Sequence, residues 1–344
     1  VGYSRDGLLM VPMKTDDFYG KTDLFRSELR NTGMVEEVAE SQSPVTGVWS
    51  SNEGFSWEGM PEGFVETFAT LTVSPEYAQT AGWQFVGGRN FSKNLASDSS
   101  GFVINESAAR LLGVANPVGM VVSWKSQWMT DNIRKSFTVL GVVKDMVMES
   151  PFAPVKPTVF FLFGSPNWIN IRLNPQVSSA VALPVIEQVF RKLVPAAPFE
   201  YKFADVEYDA KFRTEERIGK LAGFFALLAV LISCLGLFGL ASFTAEQRTR
   251  EIGIRKVLGA SLAALWGLLS KDFVLLVAIA SLIASPLAWY SMSEWLQNYQ
   301  YRTEISWWIF VLAAAGALVL TLATVSYQAM KAAWMDPVKS LRSE

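Results

Sequence analysis

Residues 221–243 read LAGFFALLAVLISCLGLFGLASF and residues 273–293 read FVLLVAIASLIASPLAWYSMS, without one charged side chain in either. A third run, Ile305 to Met330, is equally free of charge. Each is near or above the roughly 20 residues a helix needs to cross about 30 Å of hydrocarbon. So many apolar residues at one end of the chain leave too little polar surface to cover them as soluble-core helices. They read as three transmembrane helices, over about residues 219–243, 272–293 and 305–328. Trp289, Tyr290 and Trp295 fall at one end of the second run and Trp307 and Trp308 at the start of the third. Aromatic residues gather at such membrane–water interfaces, so both ends face the same side.

The segments between the runs set the orientation. Thr244 to Asp272 carries Arg248, Arg250, Arg255, Lys256 and Lys271, and the tail adds Lys331, Lys339 and Arg342, whereas the second connection holds only Arg302. Basic residues close to a span resist translocation. The 244–272 loop and the C-terminus are therefore expected in the cytoplasm, with residues 1–218 outside. A domain ahead of the first visible span needs something before it to engage the translocation machinery, and the sequence opens Val1-Gly2-Tyr3-Ser4 with no leader pattern. The expectation is a fragment whose preceding transmembrane helix ended shortly before Val1, with a cleaved signal peptide as the alternative.

Although half of the 344 residues are apolar, residues 1–218 hold 25 acidic and 20 basic side chains, the make-up of a water-soluble domain with its own core. The chain has no histidine, and its one cysteine, Cys234, lies in the first apolar run. Histidine-dependent nucleophiles and His-based zinc sites are thereby excluded, and no Walker-type phosphate loop occurs. The carboxylate pairs Glu36/Glu37 and Asp205/Glu207 read as solvated charges. No catalytic residue, cofactor, metal or nucleic-acid partner is expected.

The outer domain reads as α+β. Thr22 to Glu40 suggests a helix with Leu24, Phe25, Leu29 and Met34 or Val35 inward, and Phe64 to Val73 a strand. Asn105 to Gly113 spells a short helix with an N-cap residue and a terminal glycine. Asn116-Pro117-Val118-Gly119 fits a type I turn. Phe137 to Val143 and Asn167 to Leu173 read as buried strands, and Ser178 to Leu193 as a helix despite Pro184, followed by a break at Pro195 to Pro198. All of these are scaffold rather than chemistry.

Gly88-Arg89-Asn90-Phe91, the Asn105 to Gly113 helix with its following turn, Val139 to Asp145, and the tail from Phe203 to Glu344 together resemble the MacB/FtsX-type permeases of ABC systems, in particular the large permeases of Bacteroidetes-like bacteria. The most specific stretch is Glu246 to Ala260, EQRTREIGIRKVLGA, followed by Asp336 to Arg342. The resemblance covers essentially the whole chain. It implies a periplasmic core domain, residues 1–210, then a stalk and an FtsX-like all-α membrane domain, residues 211–344. It also implies a first helix that this sequence lacks, and the glycine-containing opening Val1 to Leu9 suggests a C-terminal half of a tandem permease. Implied partners are a cytoplasmic ABC ATPase subunit carrying the ATPase activity, a second permease half, a periplasmic adaptor or envelope protein, and the lipid of the bacterial inner membrane.

Read as a helix, residues 246–261 place Ile254, Val257, Leu258 and Ser261 on one side and Arg248, Glu251 and Arg255 on another. One reading is a basic loop that only fixes topology. The other, strengthened by the resemblance, is a coupling helix of Glu246, Arg248, Arg250, Glu251, Arg255 and Lys256 that seats in the ATPase, with Gly253 and Gly259 allowing close approach. Lys211 to Lys220 would extend the first apolar helix outward as a stalk. Three functions stay open: an ABC-driven exporter or extractor of an envelope or hydrophobic substrate, a mechanical regulator of a periplasmic partner such as a cell-wall hydrolase, and a membrane-anchored sensor or enzyme without an ATPase.

Overall fold

Leu8–Pro12 (β1) is apolar on both faces, and that fixes the layering of the N-terminal unit. Successive strand residues point to opposite sides of a sheet. Leu8 and Met10 join one core with Leu71, Phe160 and Tyr77 of the short helix Tyr77–Ala81 (α2), while Leu9 and Val11 join another with Phe25, Leu29, Ile171 and Phe190. β1 lies inside an antiparallel four-stranded sheet with Val35–Ser41 (β2), Trp168–Leu173 (β11) and Lys202–Phe203 (β12), in the order β12-β1-β11-β2. Two helices, Thr22–Asn31 (α1) and Ser179–Leu193 (α4), cover its second face. There Phe25 meets Phe18 edge-on at 5.2 Å and Phe18 stacks on Phe190 at 5.7 Å. Each such fully buried ring contributes about 1.5–3 kcal/mol.

The other sheet has eight strands. Its path is Ser51–Asn52 (β3), Phe68–Thr72 (β5), Thr158–Phe161 (β10), Gly101–Asn105 (β7), Lys135–Val143 (β9), Val121–Trp124 (β8) and Phe55–Trp57 (β4), with Phe85–Gly88 (β6) also paired to β9. β5 with β10 and β7 with β9 run parallel; the other pairs are antiparallel. Val103 faces the core shared with the first sheet, and Phe102 and Ile104 face a third core beneath Glu106–Leu112 (α3), with Phe137 and Val139. Two sheets thus share a central core, the first covered on its outer face by α1 and α4 and the second by α3.

The computed structural model describes residues 2–125, 134–162, 164–248, 251, 254–255, 258–297, 299 and 302–334. They fall into two compact units, Val1–Arg213 and Thr214–Glu344. Within the first, several readings of the sequence need correction. The helix expected over 22–40 stops at Asn31, because Gly33 takes a φ of +73° and the chain then enters β2. The three glutamates of β2 disguised a strand whose Val35, Val38 and Ala39 are buried, and Leu24 is exposed. The turn after α3 is closed by Met120 N–H to the Pro117 carbonyl, with Gly119 at φ +87° in its third position. That is type II geometry, one residue later than expected. Glu37 is not solvated: it is 2% exposed and accepts from Arg26 at 2.5 and 2.8 Å. Burial opposes its ionisation, but the hydrogen bonds from Arg26 and the Val38 N–H hold its carboxyl below the usual range.

The second unit contains Arg213–Gln247 (α6), Leu262–Leu296 (α7) and Trp308–Trp334 (α8), three helices long and apolar enough to cross a membrane. The first two outrun the expected spans by a turn or more, since helix formers flank the apolar runs. Ala241, Phe273 and Val325 bring all three into one buried cluster, and Trp266 Nε1 donates to Ser326 Oγ at 2.7 Å between α7 and α8. The alanine permits close approach at that level.

Candidate functional site

Between β12 and α6 run a short helix, Ala204–Asp209 (α5), and a 3₁₀ turn, Ala210–Phe212. The stalk reading assigned Lys211 to an outward-running helix. Instead its ammonium turns into the core unit and donates to the carbonyls of Thr46 at 2.6 Å, Glu149 at 2.5 Å and Met148. An ammonium has three donors, and all three are used. Phe212 meets Phe152 edge-on at 5.4 Å. Arg5 pairs with Asp209 at 3.3 Å and lies 4.4 Å over the Tyr208 ring, so the N-terminal segment also grips this junction. Arg213 through Lys220 do continue the apolar helix, as its charges suggested.

The motifs that carried the family resemblance converge around β9. Asn105 Oδ1 caps α3 through the Ala108 N–H at 2.9 Å and also accepts from the Thr158 N–H at 2.8 Å, while Nδ2 donates to the Lys156 carbonyl. Asp145 accepts from Ser107 N–H and Oγ, both at 2.8 Å, and from Arg110 at 2.7 Å. A Cβ on Gly88 would lie 2.2 Å from the Leu140 carbonyl oxygen, and one on Gly141 2.5 Å from that of Arg89. Arg89 forks onto the buried Asp98 at 2.6 and 2.7 Å. These residues build a joint.

The candidate coupling segment follows α6. The Arg248 N–H closes on the Thr244 carbonyl, and its guanidinium pairs with Asp272 of α7 at 3.1 Å. Glu251 and Arg255 form the expected i, i+4 pair at 2.6 Å. Both pairs are solvent-accessible, and exposed pairs of this kind are worth about 0.2–1 kcal/mol, too little to explain the segment. Leu258 N–H bonds the Ile254 carbonyl, Ala260 N–H bonds that of Arg255, and Gly259 sits at φ +89°. This is a Schellman-type helix end with glycine at its left-handed position. Ser261 then caps α7 by accepting from the Ala264 N–H. Ile254 and Leu258, one turn apart, are 52% and 80% exposed. Arg250 and Lys256, with Gly253 and Val257, lie outside the described residues. Glu246 stands in the last turn of α6. The structure thus brings together Arg248 with Asp272 and Glu251 with Arg255.

Sequence reading missed a charged cluster between the two layers of the core unit. Arg26 bridges Glu37 and Glu76, and Lys93 bridges Glu76 and Asp23, each of these two at 2.9 Å. Glu40, bonded by the Thr22 hydroxyl, borders the same cleft. Its burial, aided by the nearby Asp23 and Glu76, raises its carboxyl above the usual range. Arg172 was likewise invisible as a tie: buried, it donates to the carbonyls of Thr80, Asp6 and Ser4 at 2.6–2.7 Å.

Residues 4–189 match the MacB-like periplasmic core domain family and residues 223–337 the FtsX-like permease C-terminal family. The chain is 25% identical over 301 residues to the uncharacterized ABC transporter permease YknZ of Bacillus subtilis, covering 81% of this chain and 71% of that one. It is 21% identical to the macrolide export ATP-binding/permease protein MacB of Bdellovibrio bacteriovorus, over 90% of this chain and 49% of the relative. With the pyoverdine export ATP-binding/permease protein PvdT of Pseudomonas fluorescens it shares 24% identity, over 76% of this chain and 41% of that one. It therefore spans half or less of the length of the latter two. Among solved structures, the periplasmic region of MacB from Actinobacillus actinomycetemcomitans aligns with a TM-score of 0.41 and 15% identity, covering 60% of this chain and 92% of that one.

Proposed function

Because this chain belongs to the ABC transporter permeases that join a MacB-like periplasmic core domain to an FtsX-like membrane domain, we propose that it couples a partner ATPase to movement of its core domain. The core domain lies in the periplasm of a bacterial inner membrane, and residues 244–272 and the C-terminus lie in the cytoplasm. The coupling element is the segment from Glu246 to Lys256. The observation that carries this reading is the exposed Ile254–Leu258 edge beside the paired charges of Arg248, Glu251 and Arg255, ended by a glycine-closed turn. An apolar helix edge with i, i+4 anchors is what a groove on a partner accepts. Closure of two ATPase subunits on ATP pushes this segment, and α6 carries the displacement to Lys211 and the core domain. The permease itself hydrolyses nothing. It works as one of two permease halves, and export or extraction of an envelope or hydrophobic substrate, with a periplasmic adaptor or envelope protein, is supported by the export names of the MacB and PvdT relatives.

Replacing Glu246, Arg248 and Glu251 together by alanine tests the proposal. Membrane insertion should persist, while ATP hydrolysis stimulated by the full complex falls at least tenfold, an effect of about 1.4 kcal/mol. Unchanged hydrolysis and unchanged co-purification of the ATPase would reduce the segment to a topology anchor.

A further inference from the structure

Away from the junction and the coupling segment, the core unit holds an open cavity of about 970 Å³. Its wall contains an anomaly for a water-soluble domain. The Trp49 side chain is 59% exposed, yet it is fixed from behind, with its ring edge-on to the buried Trp168 at 5.5 Å and its backbone N–H on Ser43 Oγ at 3.0 Å. A held, uncovered indole presents a flat apolar plate to a ligand at little conformational cost.

Beside it lies a prearranged polar pair. Asn52 Nδ2 donates to Ser50 Oγ at 2.9 Å and to Thr70 Oγ1 at 2.6 Å, and Thr70 Oγ1 donates to Ser50 Oγ at 3.0 Å. Both amide protons of Asn52 are thus spent, which leaves its Oδ1 as an acceptor. Ser50 Oγ receives two bonds, which leaves its own proton to donate. An acceptor and a donor on neighbouring wall residues match a vicinal pair of ligand groups, each able to give or take a hydrogen bond. The planar amides of Gln42 and Asn167 and the Ser136 hydroxyl extend the polar wall. Among the described residues no carboxylate lines the cavity, although acids outnumber bases in residues 1–218, and Lys135 is the one charged residue of that lining.

We propose that this cavity binds an oligosaccharide carrying an anionic group, with Trp49 stacking on the C–H face of a sugar ring. Asn52 and Ser50 read adjacent hydroxyl or acetamido groups, and Lys135 reads the anion. Hydroxyls on both edges of a ring with an apolar face fit a wall that sets an exposed indole beside hydroxyl and amide groups. As a substrate or docking class for the permease this rests on the export reading above. The site itself does not, since binding is measured on the chain without ATPase or nucleotide.

The test is calorimetric titration of the full chain in nanodiscs with three probes: chitohexaose, soluble peptidoglycan strands bearing carboxylates, and phosphorylated core oligosaccharide released from lipopolysaccharide. One of the two anionic probes should bind saturably below about 1 mM, and which of them does so identifies the source. Trp49→Ala should weaken it at least about tenfold, as loss of an aromatic anchor does. Lys135→Met should weaken the anionic probe and leave chitohexaose unchanged. If Trp49→Ala does not fold, Trp49→Tyr, which keeps a stacking face, should retain binding, and Lys135→Met still separates the arms. No saturable binding by any probe, or binding indifferent to Trp49 and Lys135, overturns the site and leaves the coupling proposal standing.

Discussion

Lys211 Nζ lies 2.6 Å from the carbonyl oxygen of Thr46, so the last turn before the first apolar helix is bonded to a loop 165 residues earlier in the chain. The same ammonium reaches Met148 and Glu149 in the connection between β9 and β10. A helix that moves can displace a domain only if the link between them does not fray first. Here the link is one cation shared by three backbone carbonyls, backed by the Phe212–Phe152 and Arg5–Asp209 contacts.

Lys211→Met should leave those carbonyls without their donor. Each unsatisfied buried acceptor costs about 1–3 kcal/mol, so the thermal midpoint of the core unit should fall by roughly 5–15 °C. Local opening should also show directly, as faster tryptic cleavage at Arg213 in the detergent-solubilised chain. An unaltered cleavage rate would mean that the junction is held by the aromatic contacts alone.

Two carboxylates of the core unit should respond to pH with opposite signs. The Arg89 fork and the Ser92 N–H hold Asp98 below the usual carboxylate range. Its contribution is therefore present above the unfolded value near 4 and lost as pH falls through the lower folded value. Burial raises Glu40, so its contribution is present below the unfolded value and lost as pH rises through the folded one. Asp98→Asn should lower the midpoint at pH 7 by about 5–10 °C and flatten the acid limb. Glu40→Gln should instead keep or raise the midpoint at pH 7 and change little at pH 3. Parallel shifts in the two variants would contradict this assignment.

Periodicity made much of this architecture legible. Uncharged runs of membrane length become α6, α7 and α8, and Asn105 with Gly113 frames α3 as its cap and its left-handed end, at φ +71°. What failed depended on tertiary pairing. Val35 to Ser41 has the helix formers of α1 beside it, and only its register against β11 makes it a strand. Lys211 and Arg172 look like surface cations in sequence, because carbonyls that accept a buried charge leave no mark in composition. The charged pattern of the candidate coupling segment, including the Glu251–Arg255 pair, is visible in the sequence, but the partnership of Arg248 with Asp272 required α6 and α7 to meet.

Asn105 separates scaffold from chemistry. Asn105→Ala removes the cap of α3, worth about 0.5–2 kcal/mol, and strands the buried Thr158 N–H for about 1–3 kcal/mol more. Asn105→Asp keeps both acceptor bonds but sets a carboxylate oxygen against the Lys156 carbonyl. Both variants should unfold at lower urea concentration, and coupling per folded molecule should be unchanged. Loss of coupling at full stability would assign Asn105 a role that its hydrogen bonds do not suggest.

The orientation has its sharpest test at Ser261, between the Gly259 turn and α7. Cys234 is the chain's only cysteine and lies within the first apolar run, so Cys234→Ala with Ser261→Cys gives one defined thiol. The cap hydrogen bond that Ser261 makes is lost, at about 0.5–2 kcal/mol, which a helix of this length tolerates. In sealed cells a membrane-impermeant maleimide should leave residue 261 unlabelled, and labelling should appear in inverted vesicles. A second variant, Cys234→Ala with Ser178→Cys, reports the exposed start of α4 and should behave in reverse once the outer membrane is permeabilised. Labelling of residue 261 from outside would place the basic loop, and with it the proposed ATPase contact, on the wrong side of the membrane. The coupling proposal would then fall regardless of how the alanine variants behave.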